Sequence, residues 1–145
     1  MSIRDVVRDA RASGDIAPLV AAIPYLSWMN IDAKIDGGQV VCSMRFKPTH
    51  IGNPSLPALH GGTLSALLET AGALQVLWEL GEARLPKIVT LTIDYLRSAK
   101  AEDAHCRAEI TRRGRRVVNV RAEVFQADPS KPVTSANMHF LVEQP

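Results

Sequence analysis

The chain has 145 residues, 46% of them hydrophobic and 22% charged, with a formal net charge of +2. That length predicts one domain with a sizeable core. A charge so near balance excludes a general electrostatic attraction to nucleic acid or to a membrane surface, so neither is expected as a partner.

The N-terminus, Met1-Ser2-Ile3-Arg4-Asp5, lacks the cationic start and apolar run of a secretory signal, and a cytoplasmic location is expected. Ile3, Val6, Val7 and Ala10 recur at helical spacing and Ser13-Gly14 ends the segment, predicting a short amphipathic helix. A second helical piece is predicted over residues 17–23, stopped by Pro24. Two strand-like runs, 28–35 and 39–46, flank Asp36-Gly37-Gly38, a hairpin turn signal. Alternation puts Val40, Cys42 and Met44 on one face and Val41, Ser43 and Arg45 on the other. Cys42 and the distant Cys106 form no CxxC, which predicts two buried, reduced thiols. Residues 48–57, with three prolines and His50, read as a loop.

That loop delivers the chain to His60-Gly61-Gly62-Thr63-Leu64-Ser65-Ala66-Leu67-Leu68-Glu69-Thr70-Ala71-Gly72. A helix is predicted over residues 61–80, with Gly81 as its stop. Glu69, Gln75 and Glu79 interrupt its apolar run, so it reads as a buried helix and not a membrane span. Leu64, Leu67, Leu68, Leu74 and Leu77 are predicted to pack on a sheet, while Gly62, Ser65, Glu69, Gly72, Ala73 and Val76 form a stripe open to a backbone or a ligand. Free N–H groups at such a helix start can hold a developing oxyanion, and a carboxylate in apolar surroundings can act as base or nucleophile. Acyl transfer is the chemistry this pattern points to. Glu69 lies eight residues beyond Gly61, about 12 Å along the axis, too far for both to flank one carbonyl carbon. If they act on one bond they come from two chains, and a two-fold homodimer is the simplest arrangement.

Four further strands are predicted over residues 88–96, 104–112, 115–126 and 133–142, punctuated by Arg113-Gly114 and Asp128-Pro129-Ser130-Lys131-Pro132. Two strands, one long buried helix and four strands in hairpin succession make an α+β fold, an antiparallel sheet wrapped around a central helix. Residues 1–145 read as one such domain, with 1–23 as an N-terminal helical segment.

The layout, and above all His60-Gly61-Gly62 followed by Glu69 in an apolar helix, resembles the hotdog-fold acyl-CoA thioesterases, in the branch related to the phenylacetate-pathway thioesterase PaaI. The resemblance covers residues 24–142 and includes Ile93-Asp94-Tyr95-Leu96-Arg97-Ser98-Ala99, similar to the strand that lines the family's substrate channel. It implies a hotdog fold whose sheets join edge to edge in a dimer, often paired into a tetramer, with the acid from one chain and the glycine amide from the other. By motif position Glu69 matches the acid, Gly61 the oxyanion donor and His60 the residue that fixes the helix start. Related enzymes place an Asn or Gln at a set distance before the HGG, and here Asn53 stands one residue further away. Many also carry a Ser or Thr across the site, for which Thr70, Thr90 and Thr92 all qualify. The implied reaction hydrolyses a medium-chain or aromatic acyl-CoA to the acid and coenzyme A, with no cofactor beyond the coenzyme A of the substrate.

Each feature has a plainer reading beside it. Glu69 can be a helix carboxylate reaching solvent or an Arg, though leaving it unpaired in so apolar a segment is costly. Gly61 and Gly62 can simply give the chain room to turn, with Gly62 the better packing glycine. His60 reads as structural more readily than as a proton carrier. His50, His105 and His139 make no HxH or HExxH pattern, so no metal site is expected. Arg112-Arg113-Gly114-Arg115-Arg116 is a solvated hairpin turn or, through Arg113, Arg115 and Arg116, a seat for coenzyme A phosphates. Two rival functions remain open: a non-catalytic acyl-CoA-binding module, and a 3-hydroxyacyl-thioester dehydratase, whose pattern sets a His and an acid closer together after Pro-Gly.

Overall fold

The computed structural model describes residues 1–144. Ser2 and Asp5 cap each other's backbone to start α1 (Ile3–Ser13), and Gly14 ends it in left-handed backbone at φ 74°. Two short helices follow, α2 (Ala17–Ala21) and α3 (Pro24–Trp28). Pro24 does not stop a helix reaching Ile23; it opens a third helix near its first position, where a fixed φ and a missing N–H cost nothing. The strand expected from residue 28 therefore begins later, at Ile31. Asn30, left-handed at φ 61°, makes the turn, and its side-chain amide and backbone carbonyl bond the backbone of Arg45 at 3.0 and 2.9 Å.

Gly37 and Gly38, at φ 59° and 77°, join β1 (Ile31–Asp36) to β2 (Gln39–Met44) in the tight hairpin the sequence calls for. The segment read as a loop holds a 3₁₀ turn, Pro48–His50, and a small hairpin of β3 (Ile51–Asn53) and β4 (Ala58–Leu59). After the long helix α4 (Gly61–Leu80) come β5 (Pro86–Tyr95), β6 (Ala104–Arg113), β7 (Val117–Phe125) and β8 (Thr134–Val142). Six strands form one antiparallel sheet in the order β1-β2-β6-β7-β8-β5, and α4 packs on β2, β6, β7, β8 and β5. This is the α+β arrangement of the hotdog fold.

Leu64, Leu67, Leu68, Leu74 and Leu77 are buried, as their spacing predicts. Gly72 and Val76, expected on the open stripe, are buried too. A Cβ at Gly72 would stand 2.9 Å from Met138 and 3.1 Å from Phe140, so this glycine lets β8 close on the helix. The sheet thus covers more of α4 than the leucine face alone, leaving Ser65, Ala66, Glu69, Thr70 and Ala73 half-buried. Both ends of the buried Gln75 amide are engaged: its carbonyl accepts from Val40 N–H at 2.8 Å and its NH₂ donates to Glu79 at 2.8 Å.

Cys42 and Cys106 are free, buried and registered opposite each other on β2 and β6, and burial pushes the Cys42 thiol up to about 12 and Cys106 well above its usual value. Arg11 of α1 donates to the carbonyls of Trp78 and Glu79 at 2.8 and 3.4 Å, satisfying the C-terminal end of α4 and lashing the N-terminal segment to it. Among the described residues no helix is long and apolar enough to cross a membrane.

Candidate active site

The start of α4 is held by its own sequence. His60 is the N-cap, and its Nδ1 accepts the Gly62 N–H at 2.8 Å, so the ring proton sits on Nε2. The His60 carbonyl accepts the Thr63 N–H at 2.9 Å and the Thr63 hydroxyl at 2.6 Å, while its own N–H donates to the His50 carbonyl at 2.8 Å. With those donors spent, the Gly61 N–H has no hydrogen-bond partner among the described residues. A Cβ on Gly61 would lie 3.1 Å from the Tyr95 ring, whose hydroxyl donates to the Gly61 carbonyl at 3.2 Å. Tyr95, at the end of β5, therefore sits directly on the helix start.

Glu69 lies two turns further along. It lines a groove of about 300 Å³ whose floor on α4 is Ala66, Glu69, Thr70, Ala73, Leu74 and Leu77, spaced as one helix face. The opposite wall is Ile23, Tyr25 and Leu26, from α3 and the residue before it. No hydrogen bond or ion pair to the Glu69 side chain occurs among the described residues, which leaves its carboxyl group without a partner in a largely apolar groove. Nothing in sequence periodicity marks the α3 wall; it exists because the tertiary fold swings that segment over the helix.

Thr70 shares this groove, whereas Thr90 and Thr92 do not. Register sets them opposite His139 and Asn137 of β8, on the face away from Met138 and Phe140 and hence away from α4. Asn53 is exposed in β3, and its side-chain oxygen accepts the Ser55 N–H at 3.0 Å, an Asx turn. Its neighbour Gly52 runs against His60, where a Cβ would be 3.0 Å from the His60 Cα.

The arginines gather at the other end of α4. Arg113 is paired with Glu79, and Arg84 donates to the Gly114 and Arg115 carbonyls at 3.3 and 2.7 Å. Arg112, Arg115 and Arg116 are exposed and line an open depression of about 560 Å³. Glu79 is 18 residues from Gly61, so within one chain this cluster lies about 27 Å from the helix start. Among the described residues no group of three His, Cys, Asp or Glu side chains is placed to hold a metal.

His50, a buried residue that sequence spacing left unassigned, works here as a clasp. Its Nδ1 accepts the Lys47 N–H at 3.3 Å, its Nε2–H donates to the Met29 carbonyl at 3.0 Å, and burial lowers its pKa. It ties the end of α3 to the strand beside His60.

The fold has counterparts among proteins of known structure. A protein from Chromobacterium violaceum of known structure is 34% identical, with a TM-score of 0.75 over 93% of this chain and 94% of its own. A phenylacetic acid degradation-related protein from Ralstonia eutropha is 26% identical, with a TM-score of 0.71 over 81% of this chain and 89% of its own. The phenylacetic acid degradation protein PaaI from Thermus thermophilus shares the fold at 21% identity, with a TM-score of 0.69 over 82% of this chain and 98% of its own. No curated protein matches the sequence. The thioesterase superfamily model matches residues 56–133, which hold His60, Gly61, Glu69 and three of the sheet's six strands, and the chain belongs to that superfamily.

Proposed function

We propose that this protein is an acyl-CoA thioesterase whose site is completed by a second copy of the chain. The observation that carries the reading is the pairing of a free Gly61 N–H at a helix start with a free Glu69 carboxylate, on one helix yet about 12 Å apart. A two-fold dimer brings the Gly61 of one chain to the Glu69 of the other. The ten-residue edge strand β5 supports this, since it offers an unpaired row of backbone groups to a second sheet.

In this mechanism the Gly61 N–H polarises the thioester carbonyl and holds the oxyanion. Glu69 of the partner subunit either takes a proton from water, which adds to the carbonyl carbon, or adds directly to give a mixed anhydride that water then opens. In both routes the C–S bond breaks, the thiolate of coenzyme A leaves and is protonated, and the free acid remains. His60 positions the helix start. Thr70, the one threonine of the three beside Glu69, suits a polar contact at the reacting centre. Arg115 and Arg116 suit the coenzyme A phosphates, whereas Arg113 is already committed to Glu79.

Thiol release from a panel of acyl-CoA esters tests the reading. Glu69→Gln should lose two or more orders of magnitude in kcat while keeping the fold and substrate affinity. A panel with no turnover, or robust hydration of crotonyl-CoA, would overturn it.

A further inference from the structure

Resting on the reading of Glu69 as the reacting carboxylate, we infer that the groove between α3 and α4 measures the acyl chain, with Ala73 as its length-setting residue. The groove has a direction. From Glu69 its floor continues over Ala73, one turn on, to Leu77, another turn on and the last lining residue of α4. Those eight residues rise about 12 Å. An extended alkyl chain advances about 1.3 Å per carbon, given a C–C bond of about 1.52 Å, so roughly eight to ten carbons fill that length.

The walls suit such an occupant. Beyond Glu69 and Thr70 every lining side chain on this stretch is apolar or aromatic, with Leu26, Leu74 and Leu77 buried at the base and Tyr25 half-exposed at the rim. Ala73 is half-buried and small, so a chain leaving the carbonyl carbon at Glu69 passes over it first. Ala66 also lines the groove but lies one turn on the other side of Glu69, outside that path. The two alanines therefore make an internal comparison. A larger residue at 73 obstructs the chain beyond its first few carbons, and the same change at 66 does not discriminate by length.

The experiment measures kcat/KM of the full-length protein for butyryl-, octanoyl- and palmitoyl-CoA in the wild type, Ala73→Leu and Ala66→Leu. Ala73→Leu should lower the octanoyl-to-butyryl ratio about tenfold, because each displaced methylene in an apolar pocket is worth a factor of this order. Ala66→Leu should change all three substrates by one common factor. If Ala73→Leu fails to fold, Ala73→Val must still move the ratio in the same direction. A common loss at every length for the position 73 variants, or a ratio that follows position 66 instead, overturns the assignment and leaves the thioesterase reading standing. A wild type inactive on all three esters overturns the assignment, and inactivity that extends to aromatic acyl-CoA esters overturns the thioesterase reading with it.

Discussion

Gly61 and Gly62 are adjacent, yet each is glycine for its own reason. The Gly62 N–H is spent on His60, and a Cβ there would come within 2.9 Å of the same imidazole nitrogen, so Gly62 serves packing. The Gly61 N–H is free, and this permits an unusually clean test. Residue 61 is the first helical position, where proline is favoured, and His60 at φ −62° and ψ 133° already has the extended backbone that proline demands of its predecessor. Gly61→Pro therefore removes one N–H and asks the exposed Tyr95 ring, which a Cβ at 61 would approach to 3.1 Å and whose hydroxyl bonds the Gly61 carbonyl, to give by a few tenths of an ångström. We expect thermal stability close to the wild type and a fall in kcat of about 10²–10³, the usual cost of an oxyanion donor. Retained activity would show that this amide does not touch the reacting oxygen.

His50 ties the residue after α3 to the 3₁₀ turn through its ring, and its carbonyl accepts the N–H of His60 at the start of α4. Its neutral ring both accepts, from Lys47, and donates, to Met29, so a second ring proton would break the Lys47 bond beside a lysine. Its folded pKa is lowered below the ordinary 6.5, which means that the unfolded chain binds the proton more readily. The resulting stability is complete above about pH 6.5 and is lost as the pH falls toward the folded value. Urea midpoints measured at about pH 7.5 and 5.5 should drop with acidification, and His50→Gln, which keeps an acceptor and a donor without titrating, should show a shallower drop. His105 is lowered in the same direction, so part of the slope will persist in that variant. An identical slope in the two proteins would remove His50 from the account.

At the scale of the whole molecule, the question is whether one chain suffices. β5 is an edge strand with Val89 and Tyr95 more than half exposed, and its bulge at residues 88–90 shifts the register with β8. In the proposed dimer a second copy would cover this edge and bring its Glu69 to the Gly61 of the first chain. Mixing decides the matter. Glu69→Gln and Gly61→Pro should each be inactive alone, but exchange of subunits between them creates heterodimers with one intact Gly61–Glu69 pair. Random exchange restores about a quarter of the wild-type sites. No recovery in a mixture proven to exchange would mean that each chain works with its own two groups or with neither.

Local physics was legible in the sequence. The hairpin at Gly37-Gly38, the length of α4 and the succession of the six long strands along the chain follow from turn chemistry and periodicity, which act between residues close along the chain, whereas the role of His60 at the helix start came from the family resemblance. The Glu69-to-Gly61 spacing was legible for the same reason, since a helix converts residue count into distance. What required the tertiary structure was every pairing between distant segments. The approach of β8 buried Gly72, its register turned Thr90 and Thr92 away from the helix, and the docking of α3 built the groove beside Glu69. Burial and facing depend on which remote surface arrives at a residue, and no local pattern along the chain encodes that arrival.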